Sequence, residues 1–99
     1  MKIGESFQMS DFPFTEKRIG EKLFLREFKE NVDSEELVWH QDQEDRIVKV
    51  IQSNGWKLQM DNEFPVTLKE GKTYKIPAYL YHRVIKGDGD LIVAIKKIK

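Results

Sequence analysis

Cysteine does not occur in this chain. Its absence excludes disulfides, thiolate nucleophiles, zinc fingers and iron–sulfur clusters, and leaves histidine and carboxylate as the side chains able to hold a metal. Histidine is scarce too, with only His40 and His82 in 99 residues. No apolar run approaches the roughly 18 residues of a membrane-spanning helix. The N-terminus has no apolar signal core, so a soluble, cytoplasmic protein is expected. Neither charge is in excess: 17 Lys and Arg balance 17 Asp and Glu, for a net charge of zero. Such a chain is poorly suited to general nucleic-acid or anionic-membrane binding, and neither is expected as a partner. A sustained 3.6-residue period is missing as well, which argues against amphipathic helices.

What is present fits one domain. Surface scaling for a chain of this size buries roughly 65% of the extended surface, enough for one core and one pocket. Residues 1–20 read as irregular around Asp11-Phe12-Pro13-Phe14, because proline cannot donate to a strand ladder. Phe7, Phe12 and Phe14 need a partner surface, either the open face of a sheet or a second copy of the chain in a homodimer. From residue 22 the chain reads as short strands at 22–28, 36–42, 46–52, 56–61, 65–68, 72–76, 81–86 and 91–98. Ser53-Asn54-Gly55 reads as a hairpin turn and Gly87-Asp88-Gly89-Asp90 as a tight turn. Eight strands with turn signals every 6–12 residues predict an all-β sandwich or barrel over 22–99, preceded by an arm at 1–21.

Residues two apart on a strand share a face, so His40 and Asp42 are expected to project side by side. Glu44, Arg46, Val48 and Val50 keep the same parity. Gly71, Pro77 and His82 stand in the order G-x5-P-x4-H. This spacing resembles the second motif of the cupin superfamily, G-x5-P-x-G-x2-H-x3-N, with Tyr79 at the second glycine and Lys86 at the asparagine. The first cupin motif, H-x-H-x3–4-E-x6-G, is met by His40, Asp42, Arg46 and Ser53. The two motifs agree in order and separation over residues 22–98. The resemblance implies a cupin-type double-stranded β-helix, a jelly-roll barrel.

It also implies a metal site in which two of the usual ligands are replaced. His40, Asp42 and His82 remain, a two-histidine, one-carboxylate set that suits non-haem Fe(II) and leaves coordination positions open. Mn, Ni, Co or Zn are alternatives, and Glu44 is a candidate fourth ligand. The same set is similar to the H-x-D…H motif of 2-oxoglutarate-dependent oxygenases, but this chain is too short to carry the inserted elements with which those enzymes cover substrate. Arg46 stays protonated and has no lone pair, so it cannot be a ligand. It could clamp a small anionic substrate, pair with Asp42 or Glu44 in place of a metal, or turn to solvent at a bulge. Gln59 is a candidate hydrogen-bond donor to substrate, with Val48, Val50 and Val84 as pocket walls. The implied function is a small metal-dependent enzyme, oxygenase-like, acting on a small anionic metabolite. The alternative is a non-catalytic cupin that binds a small anion.

Overall fold

A computed structural model describes residues 12–98. Among these residues the chain is all-β apart from a 3-10 turn at Ser34–Glu36. Eight strands form two antiparallel sheets. The larger contains β1 (Thr15–Gly20), β2 (Leu23–Phe28), β8 (Leu91–Ile98), β3 (Asp45–Gln52) and β6 (Thr73–Ile76), in that order. The smaller contains β5 (Val66–Thr67), β4 (Lys57–Met60) and β7 (His82–Ile85). No helix among the described residues is long and apolar enough to cross a membrane.

Alternation along the strands decides what is buried. Leu91, Val93 and Ile95 of β8 face inward, as do Val48 and Val50 of β3 and Leu58 of β4, and all six are buried. Phe28, Trp56, Leu68 and Ile76 complete the core. Phe14 packs on Phe28 with ring centroids 5.3 Å apart, and Phe12 stacks on Phe14 at 5.4 Å. These two phenylalanines therefore cover the barrel. Phe7 lies outside the described residues.

Three local expectations are corrected. Residues 15–20 are not irregular: they pair with β2 from Thr15↔Glu27 to Gly20↔Leu23, with a bulge between Arg18 and Gly20. This edge strand is mostly exposed, so it carries no apolar alternation to read. Residues 36–42 are not a strand. Asp33 caps the 3-10 turn by accepting from the Glu35 N–H at 2.9 Å, and only His40 makes a β-bridge, to His82. Finally, Ser53-Asn54-Gly55 is not a hairpin. It carries the chain from β3 in one sheet to β4 in the other, and residues 87–90 make the equivalent crossing from β7 to β8. The two crossings touch, with the Asp88 N–H donating to the Asn54 carbonyl at 2.8 Å.

The segment from β6 to β7 explains one departure from the cupin pattern. Tyr79 stands at the motif's second glycine and adopts φ 64°, in the left-handed region. Its N–H donates to the Asp42 carbonyl at 2.7 Å, tying this turn to the His40 segment, while its side chain is 63% exposed. A left-handed residue with a Cβ costs roughly 1–2 kcal/mol, against an entropic penalty for glycine of about 0.5–1 kcal/mol. Tyr79→Gly is thus expected to raise stability by about 0.5–1 kcal/mol in urea unfolding. A loss of stability would mean that the tyrosine ring contributes more than its exposure suggests.

Candidate metal centre

His40 and His82 meet through a reciprocal pair of backbone hydrogen bonds. His40 N–H donates to the His82 carbonyl at 3.0 Å, and His82 N–H donates to the His40 carbonyl at 2.9 Å. This narrow bridge sets the two rings side by side, with centroids 4.3 Å apart and planes tilted by 59°. Each ring is then fixed by the same local device. His40 Nδ1 lies 3.0 Å from the Val38 carbonyl, and His82 Nδ1 lies 2.9 Å from the Leu80 carbonyl. A carbonyl can only accept, so both Nδ1 atoms carry the proton. Both Nε2 atoms then present a lone pair, the arrangement by which second-shell carbonyls orient metal-binding histidines.

Asp42 completes the cluster. Its Oδ2 lies 3.4 Å from His82 Nε2, and the donor atoms of His40, Asp42 and His82 all fall within 4.8 Å of one another. Asp42 Oδ2 is buried and has no hydrogen-bond partner. A buried carboxylate oxygen facing an imidazole lone pair is costly unless a positive charge lies between them. A proton on His82 is disfavoured: burial pushes this imidazole below its usual value, with the Leu80 carbonyl acting in the opposite direction. A metal ion supplies the charge without that difficulty. With bonds of about 2.0–2.2 Å, two donors on one ion sit roughly 3–3.5 Å apart, which matches the Asp42–His82 separation. The three side chains therefore fit a divalent cation.

Arg46 faces the cavity. Its Nε donates to Glu44 Oε2 at 2.8 Å, its Nη2 lies 2.8 Å from the same oxygen, and its Nη1 lies 3.4 Å from Asp42 Oδ1. Of the three alternatives for this residue, the ion pair is the one observed. It does not cancel the metal cluster, because Arg46 approaches Oδ1 and leaves Oδ2 turned to His82. No bulge turns Asp45 inward: Asp45 Oδ1 accepts from the Ala78 N–H at 2.7 Å. Glu44 is engaged by Arg46 and stands outside the three-residue cluster.

Gln59 is elsewhere. It neighbours Leu58 and so points away from the core, where its Oε1 accepts from Arg83 Nε at 3.0 Å and its Nε2 donates to the Glu63 carbonyl at 3.0 Å. Arg83 in turn stacks over Trp39 at 4.8 Å. Val48 and Val84 line the cavity as expected, whereas Val50 is buried in the packed core without lining it.

The cavity has a volume of about 490 Å³ and contains the three cluster residues, Arg46 and one residue that sequence reasoning did not single out, Arg26. Arg26 lies on β2 two residues before Phe28. Its Nε donates to Glu16 Oε1 at 2.7 Å, its Nη2 lies 2.6 Å from that oxygen, and its guanidinium carbon sits 3.8 Å from the Phe14 ring centroid. Burial lowers its affinity for the proton, opposed by Glu16. The available signal was parity: an arginine flanked at i−2 and i+2 by Phe24 and Phe28 shares their face of the strand.

No protein-family model matches the sequence, and no curated protein matches it. Solved structures do. A cupin-2 domain protein from Shewanella frigidimarina is similar over 85% of this chain and 80% of its own, at 22% identity and TM-score 0.64. A cupin domain from Bordetella pertussis is similar over 87% and 92%, at 20% identity and TM-score 0.60. A DMSP lyase from Ruegeria pomeroyi is similar over 88% of this chain at 13% identity and TM-score 0.64, and the chain spans 47% of that larger protein. Two antiparallel sheets in this order, motif residues brought together at one end and neighbours matched over most of the chain agree on one architecture: the protein has the cupin fold.

Proposed function

We propose that this protein is a small divalent-metal cupin that acts on a small anionic molecule by oxygenase-type chemistry, with iron(II) as its metal. The observation that carries this is the unpartnered Asp42 Oδ2 facing His82 Nε2 at 3.4 Å. Bound by two histidines and one carboxylate, iron(II) supplies redox chemistry toward O₂ and leaves coordination positions open to substrate. Mn, Ni, Co or Zn at the same donors would supply Lewis-acid chemistry instead.

The chain's own residues have separate tasks. Val38 and Leu80 hold the two imidazoles in the tautomer that binds metal through Nε2. Arg46 orients Asp42 and offsets its charge together with that of Glu44. The apolar walls exclude water and so strengthen every charge interaction at the cluster. The larger lyase resembles this chain in fold, which supports an enzymatic reading of the site.

The test is metal content per chain after purification, followed by anaerobic iron(II) titration and O₂ uptake with small carboxylic acids. Stoichiometric metal and acid-dependent O₂ uptake are expected. If no transition metal copurifies and anaerobic iron does not bind, the proposal is wrong. A non-catalytic, anion-binding cupin is favoured by one observation: Arg46 lines the cavity beside the cluster, where a cationic side chain can meet a small anion. That reading predicts metal and anion binding with no O₂ uptake.

A further inference from the structure

The cavity has two unlike kinds of wall. His40, Asp42, His82, Arg46 and Arg26 supply most of its polar lining. The rest of the wall is apolar, including Leu58, Leu68, Ile76, Leu91, Val93 and Ile95. Fourteen of the twenty lining residues carry no polar side chain, and those on the barrel strands are among the most buried in the protein. A polar ligand filling this space would leave most of its groups without partners, which is costly. The tail of the ligand must therefore be apolar.

Charge sets the head group. Arg26 and Arg46 face three carboxylates, Glu16, Asp42 and Glu44, through the contacts already described. One negative charge is left over in the part-buried set, and Glu36, also in the lining, is exposed. A divalent ion at the cluster reverses this to one positive charge, which a single carboxylate neutralises. Glu16 occupies the Nε and Nη2 of Arg26, so its Nη1 remains uncommitted to that carboxylate. A second carboxylate on the ligand would exceed that single positive charge, and most of the wall offers it no polar partner.

We infer that the cavity takes a monocarboxylic acid with an apolar tail, its carboxylate held between the metal and Arg26 and its tail along the barrel core. This rests on the metal assignment above and narrows its substrate class. It also makes Arg26 a specificity-determining residue and disfavours dicarboxylates such as 2-oxo diacids.

The test uses full-length protein loaded with cobalt(II), whose visible absorption reports metal uptake before any acid is added. Butyrate, hexanoate and octanoate are then titrated calorimetrically, with suberate as the eight-carbon diacid. Affinity is expected to rise about fourfold per added methylene, as apolar transfer predicts. Suberate is expected to bind at least tenfold more weakly than octanoate. Arg26→Gln should keep cobalt uptake and lose about tenfold in octanoate affinity, with Arg26→Lys recovering part of it. On cobalt-loaded protein, no dependence on chain length, or suberate binding equal to octanoate, overturns the inference and leaves the metal assignment standing. A protein that shows no cobalt spectrum overturns both, and the spectrum taken before acid addition identifies that case.

Discussion

Asp42→Asn is expected to weaken metal binding by about 100-fold or more while leaving the protein folded. Losing an outer-shell partner costs roughly 10–100-fold in metal affinity, and Asp42 is the only carboxylate within the cluster. The metal-free variant should be no less stable than the metal-free parent. In the parent, Asp42 Oδ2 is buried and unpartnered opposite an imidazole lone pair. The Asn amide can donate to His82 Nε2, which replaces a repulsive contact by a hydrogen bond. The gain, about 1 kcal/mol, offsets the weakened contact with Arg46, already long at 3.4 Å. Cobalt titration and urea unfolding on the same preparations check both halves. Glu44→Gln is the control, because Glu44 meets Arg46 and lies outside the cluster. A variant lacking Glu44 that loses metal as completely as one lacking Asp42 would make Glu44 a ligand. Metal binding unchanged in Asp42→Asn would remove the cluster from consideration.

Gly87→Ala is expected to be the most damaging single methyl addition in the fold. A Cβ at this position would lie 2.4 Å from the Trp56 nitrogen and 2.5 Å from both the Asn54 oxygen and the Gly55 carbon. All three are backbone atoms, so no rotamer change can relieve the clash. One of the two crossings between the sheets must move, and Trp56 is anchored there. Trp56 is fully buried, and its Nε1–H reaches the Asp88 and Gly89 carbonyls at 3.3 and 3.1 Å. Overpacking of this kind costs about 3 kcal/mol or more, a drop in melting temperature of roughly 12–24 °C for a domain of this size. Gly89→Ala is the contrast: its Cβ would meet nothing within 4 Å, and only its φ of +67° opposes the change. A loss of about 1 kcal/mol is expected there. If the two variants melt alike, crowding at Gly87 is not what holds the crossings together.

The strand-rich fold was legible because buried strands announce themselves. Val48 and Val50, and likewise Leu91, Val93 and Ile95, alternate cleanly, and the turn residues between strands are correctly placed. Turn chemistry does not say whether the next strand pairs with the last or leaves for the opposite sheet, so the crossing at Ser53-Asn54-Gly55 reads as a hairpin. The edge strand β1 was hidden because backbone pairing, not side-chain burial, holds it. His40, Asp42 and His82 were found by spacing, although the segment carrying the first two is a loop with a single bridge rather than a strand. Arg46 was correctly placed on the inner parity of β3, but its partner could not be chosen without coordinates. Gln59 was set in the pocket against the evidence of its own strand, since Leu58 already claimed the inner face. Arg26 escapes the motif spacing, because it lies on the inner face of β2, outside the segments that carry the two histidines.

The reciprocal bridge between His40 and His82 has a mechanical consequence. The loop from β2 to β3 is joined to the small sheet at that point by two backbone hydrogen bonds outside any extended ladder. An ion held by both imidazoles would be a clasp across the same seam, fastening the two halves of the chain a second time. Linkage then runs both ways. Amide hydrogens of the loop should exchange with solvent more slowly when the clasp is shut, and anything that frays the loop should loosen the ion by the same factor.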